Sequence, residues 1–304
     1  MLSPLTLQLV LQIILPLMFI AELFRKRYKS KRSWLLEVSA LGLFFFFIFL
    51  TARWDMFSYY LRFLLLFLFW IAAFIAYKKI ETVKDPSSTQ SSALGRVFHG
   101  VLIVGLLWLN INVLRGFFYP VAAVDISHPL KGGIYYVGGG GNSRWINNHN
   151  AFPPQTYALD IVRLNTWGSR ASGLSPKTLE SYTIYGDTVY SPCTGEVAVA
   201  IDGLADQVPP SRGNLAGNHI VISCQGVDLL LAHLKKGSLG VQAGDSVNVG
   251  TILGKVGNSG NSSQPHLHIH AEKGGSATRI LDGVGVPLKV GGRFLARNSL
   301  FTRD

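Results

Sequence analysis

Residues 257–270 read Gly-Asn-Ser-Gly-Asn-Ser-Ser-Gln-Pro-His-Leu-His-Ile-His, and this stretch decides how the second half of the chain is expected to fold. In a β-strand, side chains at positions i, i+2 and i+4 point to one face. The strand therefore presents the imidazoles of His266, His268 and His270 together, while the aliphatic residues between them face a core. Imidazole is a good zinc ligand, and a catalytic zinc site needs about three protein ligands and one open position.

Alternating histidines alone also suit a polar outer face that holds no metal. Two further residues favour a site. His233 ends the apolar run Leu-Leu-Leu-Ala-His of residues 229–233, and Asp160 lies inside the apolar run 157–162. A carboxylate in such a run needs a polar partner or a metal.

In this order, these motifs resemble the lysostaphin/LytM-type zinc metallopeptidases. The resemblance covers about residues 133–275 and rests on several motifs: Asp160, Ala232-His233-Leu234, residues 247–254, Gly257-Asn258-Ser259-Gly260 and Pro265-His266-Leu267-His268. It implies an all-β, LytM-type antiparallel sheet domain with Zn²⁺ at the floor of a groove. It also implies a peptidase that cuts peptide bonds of bacterial peptidoglycan.

The resemblance assigns roles to four of these residues. Asp160 and His268 would be zinc ligands. His233 and His266 match the two catalytic histidines of the family that do not bind the metal, which position the attacking water, accept its proton and help to stabilise the oxyanion. Zinc would act as a Lewis acid and lower the pKa of the water to about 7.

One position departs from the family pattern. The first ligand is usually a histidine four residues before the aspartate, and this chain has Thr156 there. The nearest upstream histidine is His149, eleven residues before Asp160. We predict that His149 is the third metal ligand; the alternative is that His149 is a surface residue and that the metal site is degenerate.

The first part of the chain has a different composition. The 304 residues are 48% hydrophobic and only 15% charged, with a mean hydropathy of +0.30, which excludes a purely soluble globular protein. Four stretches are apolar and long enough to cross a bilayer, which takes about 20 helical residues. They lie at 3–24, 34–52, 58–77 and 98–118, and they predict a four-helix transmembrane anchor over residues 1–120.

The positive charges indicate the topology. The net charge of +11 is concentrated in short runs beside the apolar stretches, so it does not predict a nucleic-acid partner. Residues 25–32 hold six Lys or Arg, and such a loop lies in the cytoplasm by the positive-inside rule. We therefore expect a multi-pass protein of the bacterial inner (cytoplasmic) membrane, with its N-terminus and residues 121–304 on the outer, periplasmic side. The polar residues within the spans favour helix packing in an anchor, although a functional channel or a partner-binding bundle is the alternative.

Short runs broken by Gly, Asn, Asp and Pro predict one β domain with many turns over residues 121–304. Cys193 and Cys224 permit one disulfide or two buried thiols, and an outside location favours the disulfide. His270 matches no ligand of the family, so we expect it behind a ligand or in the groove wall. The predicted strands are 133–137, 157–162, 188–190, 195–202, 219–223, 228–233, 251–256 and 266–271.

The sequence thus predicts a membrane-anchored zinc metalloendopeptidase that hydrolyses peptidoglycan peptides by zinc-activated water. Because of Thr156, the alternative is a non-catalytic LytM-like domain that binds wall peptides or regulates another cell-wall hydrolase. A peptidase for another substrate, such as a secreted peptide, is a third hypothesis.

Overall fold

A computed structural model describes residues 3–80, 93–207, 213–279 and 281–303. These residues divide into two compact units, one comprising residues 1–54 and 60–114 and the other residues 55–59 and 115–304. The first unit is helical. Its helices are α1 (Pro4–Leu9), which continues through a π-helical turn (Val10–Ile14) into α2 (Leu15–Arg25), then α3 (Lys31–Thr51), α4 (Leu61–Lys78) and α5 (Ala93–Arg115).

Within the described residues, four helices are long and apolar enough to cross a membrane, as predicted. They span Leu5–Arg25, Lys31–Thr51, Leu61–Lys78 and Leu94–Arg115. Each lies within a few residues of its predicted bounds. The start of α3 is capped by Ser30, whose hydroxyl accepts the backbone N–H of Ser33 at 3.2 Å.

Polar residues in the helical unit take part in local pairing. Glu37 of α3 accepts two 2.7 Å hydrogen bonds from the Lys26 ammonium group. The Asn110 amide donates to the carbonyls of Leu43, at 3.1 Å, and Leu106, at 2.8 Å. Such bonds stabilise helix packing in an apolar environment, and they agree with an anchor.

The second unit is rich in β-strands. Most of its described strands join one antiparallel sheet in the order β14-β2-β3-β10-β7-β6-β5-β8, with β11 beside β10. The strands are β1 (Val124–Ile126), β2 (Gly133–Gly139), β3 (Leu159–Leu164), β4 (Thr188–Tyr190), β5 (Gly195–Ile201), β6 (Asn218–Cys224), β7 (Val227–Leu234), β8 (Ser246–Val247), β9 (Ile252–Lys255), β10 (Leu267–Lys273), β11 (Val284–Val286), β12 (Leu288–Val290), β13 (Arg293–Phe294) and β14 (Leu300–Arg303).

The predicted antiparallel LytM-type sheet is confirmed, and all eight predicted strands overlap observed ones. The sequence analysis missed β1, β8 and the four strands that follow residue 280. Each of these has only two to four residues, which is too short for alternation to be recognised. One pairing, between β1 and β12, is parallel.

Strand β10 lies between β3 and β7 in the sheet and supplies the centre of the core. Leu267 and Ile269 are fully buried there, on the face opposite the histidines, as the alternation predicts. A disulfide joins Cys193 to Cys224 beside this core. The predicted disulfide is therefore present.

Candidate metal centre and cleft

The strand register brings two of the predicted ligands face to face. Asp160 of β3 lies directly opposite His268 of β10 in the antiparallel ladder. The His268 Nδ1 atom lies 2.9 Å from Asp160 Oδ1. Two residues that are 108 positions apart in the sequence thus become neighbours through one strand pairing.

His149 reaches the same carboxylate from a loop. Its Nε2 atom lies 3.0 Å from Asp160 Oδ2 and 3.2 Å from Asp160 Oδ1. Its Nδ1 atom lies 3.0 Å from the Gln155 side-chain oxygen. The residues between His149 and Asp160 therefore fold back toward the carboxylate.

Asn147 holds this loop in place. Its side chain is fully buried, and its amide donates to the carbonyls of Gly141 at 2.9 Å, Thr156 at 3.2 Å and Ala158 at 3.2 Å. Its side-chain oxygen accepts the backbone N–H of His149 at 3.0 Å, which starts the 3-10 turn Asn148–Ala151. One side chain therefore ties both ends of the loop together and sets the position of His149.

Thr156 occupies the position where the family pattern has a ligand, and it does not join the cluster. Its hydroxyl donates to the carbonyl of Pro153 at 2.9 Å. The hydroxyl also lies 3.4 Å from the Phe152 carbonyl, so the side chain is turned to the backbone of the preceding residues. A 3-10 turn at Pro153–Gln155 lies between His149 and Thr156.

A glycine makes room for the carboxylate. Gly139 of β2 lies opposite Asp160 of β3. A Cβ atom at residue 139 would lie 2.9 Å from Asp160 Oδ2. A larger residue would therefore displace the carboxylate.

His233 and His266 stand beside these three residues. Their ring centroids are 4.8 Å apart. The His233 Nδ1 atom lies 2.9 Å from the Ser259 carbonyl, and the His266 Nδ1 atom lies 2.8 Å from the Gln264 carbonyl. A carbonyl can only accept, so each Nδ1 is the donor in its bond and Nε2 is the ring nitrogen left to accept a proton.

His233 has an unusual backbone conformation, with a φ of +62°. A histidine rarely adopts this left-handed region unless the surroundings impose it. The residue lies near the end of β7, where its N–H donates to the Ala216 carbonyl at 3.0 Å and its carbonyl accepts from Gly257 at 3.0 Å. These bonds turn the ring toward the cluster.

The charges in the cluster are strongly coupled. Burial raises the pKa of Asp160, but His149 and His266 outweigh that effect and hold its pKa well below the usual range. Burial lowers the pKa of His149, and the Asp160 charge more than compensates, so the pKa is raised. Burial lowers the pKa of His268 to about 3 although Asp160 opposes the shift. Burial and the neighbouring rings of His266 and His268 hold the pKa of His233 well below its usual value.

The donor set suits zinc. His149, Asp160 and His268 each offer one ligand atom, and these atoms lie within 4.8 Å of one another. Two imidazoles and one carboxylate are ligands that Zn²⁺ commonly uses in catalytic sites, where a fourth position stays open. His233, His266 and His268 form a second, overlapping group. Of the two groups, the first contains the carboxylate of Asp160. In the second group, the Nδ1 atoms of His233 and His266 are bound to carbonyls, which leaves their Nε2 atoms available for proton transfer.

A cleft of about 470 Å³ opens above the cluster. Phe152, Pro153 and Pro154 contribute to one stretch of its lining, and Leu215 and Ala216 to another. His149, His233 and His268 also line it. The described lining residues include no Lys, Arg, Asp or Glu, so the cleft suits an uncharged peptide segment.

Sequence reasoning missed three residues that shape the site: Asn147, Gln155 and Glu272. The alternation could have indicated Glu272, because it continues the face of His266, His268 and His270 by one more step of two. The roles of Asn147 and Gln155 depend on the loop conformation, which no pattern in the sequence reveals. His219 belongs to neither group of potential ligands, and its Nδ1 atom bonds the Gly217 carbonyl at 2.7 Å.

Comparison with known proteins finds one protein family and one curated relative that match part of the chain. Residues 179–280 match Peptidase family M23, so this segment is an M23 peptidase domain. The chain is 33% identical over 84 residues to Endolysin 2638A of Staphylococcus phage 2638A, an alignment that covers 27% of this chain and 17% of the endolysin. The chain thus spans about a sixth of the length of that curated relative.

The solved structures to which this chain is similar include M23 peptidases. The M23 metalloprotease pseudoalterin, from the deep sea, is 19% identical, with 60% of this chain and 100% of that chain covered and a TM-score of 0.32. A zinc-containing peptidase from Vibrio cholerae is 20% identical, with 49% of this chain and 37% of the peptidase chain covered and a TM-score of 0.31. A chain of the SpoIIIAH and SpoIIQ complex is 15% identical, with 53% of this chain and 95% of that chain covered and a TM-score of 0.33.

Proposed function

We propose that the chain is a membrane-anchored zinc metalloendopeptidase that hydrolyses peptide bonds of peptidoglycan. The observation that carries the proposal is the convergence of His149, Asp160 and His268 beside His233 and His266, at a cleft that three of these histidines line. The M23 match over residues 179–280 supports the same reaction class.

In this proposal His149, Asp160 and His268 hold the metal. When bound, zinc supplies a Lewis acid and brings the pKa of a coordinated water to about 7. The anionic Asp160 offsets part of the cation's charge, and its low pKa keeps it ionised over the physiological range. The cleft orients the peptide bond of the substrate over these residues.

His233 and His266 do the proton chemistry. Their Nδ1–H groups are bound by the carbonyls of Ser259 and Gln264, so the two Nε2 atoms face the cluster ready to accept a proton. One ring accepts the proton of the attacking water and passes it to the leaving amine. The other ring holds the attacking water in place by accepting a hydrogen bond from it at Nε2. General acid–base catalysis of this kind contributes about 10²–10⁴-fold in rate.

The substrate class follows from the cleft. Its described lining is apolar or uncharged, with the rings of Phe152, Pro153 and Pro154 beside the histidines. Peptide segments with small neutral side chains, such as those of wall cross-links, fit this lining better than charged peptides do.

We also infer that residues 1–120 anchor the protein in the bacterial inner membrane and that residues 121–304 lie outside the cytoplasm. The disulfide between Cys193 and Cys224 supports an oxidising compartment. The segment 55–59, which follows α3, belongs to the same compact unit as the β domain. The charge rule places this segment and the domain on the same, outer side.

Thr156 favours a second candidate function. Because the usual first ligand is missing, the domain could bind wall peptides, or regulate another hydrolase, without catalysis. The two functions differ in their requirement for metal and for His233: a binding domain needs neither.

The test uses the full-length chain purified in detergent. Zinc content and release of peptide fragments from purified peptidoglycan are measured for wild type and for His149→Ala, His268→Ala, His233→Ala and His266→Ala. His219→Ala, a histidine outside the cluster, is the matched control.

We expect about one zinc per chain in wild type, loss of zinc in the first two variants, and zinc without activity in the last two. Hydrolysis that survives in His268→Ala would overturn the proposal. Wild-type protein that binds wall peptides without zinc and without hydrolysis would establish the second function.

A further inference from the structure

The face of β10 that carries His266 and His268 continues with two more polar residues. His270 and Glu272 follow at successive steps of two, and both are buried. The His268 Nε2 atom lies 2.9 Å from His270 Nδ1, and the His270 Nε2 atom lies 2.8 Å from Glu272 Oε1. A continuous hydrogen-bonded chain therefore runs from a proposed metal ligand to a carboxylate.

The carboxylate fixes the direction of every bond in this chain. A carboxylate oxygen can only accept, so His270 donates to Glu272 from Nε2, and with one proton on the ring its Nδ1 atom is the acceptor toward His268. His268 must then donate from Nε2. Its Nδ1 atom is left with a lone pair 2.9 Å from Asp160 Oδ1, and two acceptors this close suit a cation that both of them bind.

Glu272 is itself firmly held. Its Oε1 atom also accepts the backbone N–H of Leu281 at 2.9 Å, and its Oε2 atom accepts that of Gly283 at 2.8 Å. Burial raises the pKa of Glu272, but these bonds and the one from His270 hold its pKa below the usual value. The carboxylate is therefore ionised and cannot rotate away from His270.

We propose that His270 and Glu272 are positioning residues that select the tautomer and orientation of His268 for metal binding through Nδ1. The inference rests on the proposed function and adds two residues to its site. Hydrogen bonds to the second nitrogen of a ligating histidine fix its tautomer and raise its basicity, and their loss typically costs 10–100-fold in metal affinity. Neither residue touches the substrate cleft in this role.

Zinc affinity, measured by competition with a chromogenic chelator on the full-length chain in detergent, tests the proposal. His270→Phe keeps a ring of similar size but leaves the Nε2–H of His268 without an acceptor. Glu272→Gln keeps the shape of the side chain but removes its charge. We expect zinc dissociation constants about 10–100-fold above wild type for His270→Phe and a smaller increase for Glu272→Gln, whose oxygen can still accept.

Asp228→Asn is the matched control. Asp228 lies directly opposite Glu272 in the β7–β10 ladder and accepts a hydrogen bond from Ser223 at 2.6 Å, with no link to the histidines. The same change from carboxylate to amide should leave the zinc affinity unchanged there. The melting temperature of each metal-free variant shows whether it is folded under the assay conditions.

A second readout is the visible spectrum of the Co²⁺-substituted protein, which reports the geometry of coordination. We expect the band positions or intensities to change in His270→Phe and to remain as in wild type in Asp228→Asn. A zinc dissociation constant for both His270→Phe and Glu272→Gln within about threefold of wild type would overturn this inference while leaving the proposed function intact. Wild-type protein that binds no zinc would overturn the proposed function instead.

Discussion

His149 Nε2 lies 3.0 Å from Asp160 Oδ2, although the two residues are eleven positions apart and separated by two prolines. The family resemblance places a ligand at position 156, four residues before the aspartate. In this chain the 3-10 turns at Asn148–Ala151 and Pro153–Gln155 fold the intervening residues back, so that His149 reaches the carboxylate instead.

The first prediction tests which of two positions, 149 or 156, supplies the zinc ligand. His149→Ala should lose zinc, and adding Thr156→His should not restore it, because residue 156 ends the turn Pro153–Gln155 and its side chain is turned back to the Pro153 carbonyl. Zinc content of both variants after dialysis checks this. Recovery of about one zinc per chain in the double variant would show that position 156 can still supply the ligand.

The second prediction concerns the anchor of the loop. Asn147→Ala leaves the buried carbonyls of Gly141 and Ala158 without this donor, whereas the Thr156 carbonyl keeps Asn150. We expect a loss of stability of about 1–3 kcal/mol together with weaker zinc binding. Thermal melting of the zinc-free protein and chelator competition measure the two effects. Asn150→Ala is the control, because Asn150 donates only 3.3 Å bonds in the same turn, to Asn142 and Thr156. Equal effects from the two variants would argue against a special role for Asn147.

The histidine strand shows how much of the fold could be predicted from the sequence. The alternation of His266, Leu267, His268 and Ile269 fixes which side faces the core, because a strand has a strict period of two. The order of the Asp160, His233 and His268 motifs indicated the fold and the cluster. Both are local patterns, and the structure contains the predicted sheet.

The conformation of the His149 loop could not be predicted with the same means. It depends on the buried amide of Asn147 and on the turn at Pro153, which are tertiary features without periodicity. The short strands β11–β14 were missed for a related reason: each is stabilised by its neighbour in the sheet and not by its own pattern.

The third prediction concerns the positive φ angle of His233. Its φ of +62° suits asparagine better than most residues, so His233→Asn should fold and bind zinc like wild type while losing activity by about 10²–10⁴-fold. His233→Val should also be inactive but should lower the melting temperature, because a β-branched residue is strained at positive φ. Activity in His233→Asn near the wild-type level would remove His233 from the proton chemistry.

The fourth prediction concerns the disulfide, which closes a loop with a sequence separation of 31 residues. Replacing both Cys193 and Cys224 with alanine should destabilise the β domain by about 4 kcal/mol, as estimated from the loop entropy of the unfolded chain. Reduction of the wild type should lower the melting temperature to that of the double variant, and the double variant should not respond to reductant. A wild type that is insensitive to reductant under unfolding conditions would contradict the prediction.

The fifth prediction is a pH dependence that arises outside the metal cluster. Burial lowers the pKa of His219, although the bond to the Gly217 carbonyl opposes the shift. Between the ordinary pKa of about 6.5 and the lower folded value, the unfolded chain binds a proton that the folded chain does not, so stability falls as the pH is lowered through this window. His219→Gln should remove this contribution, which is at most about 1.4 kcal/mol per pH unit. Melting of zinc-free wild type and variant from pH 8 to pH 5 should therefore show a stability advantage of the wild type that shrinks toward acid. An advantage that is constant or grows as the pH falls would mean that His219 is not held neutral by burial in the folded domain.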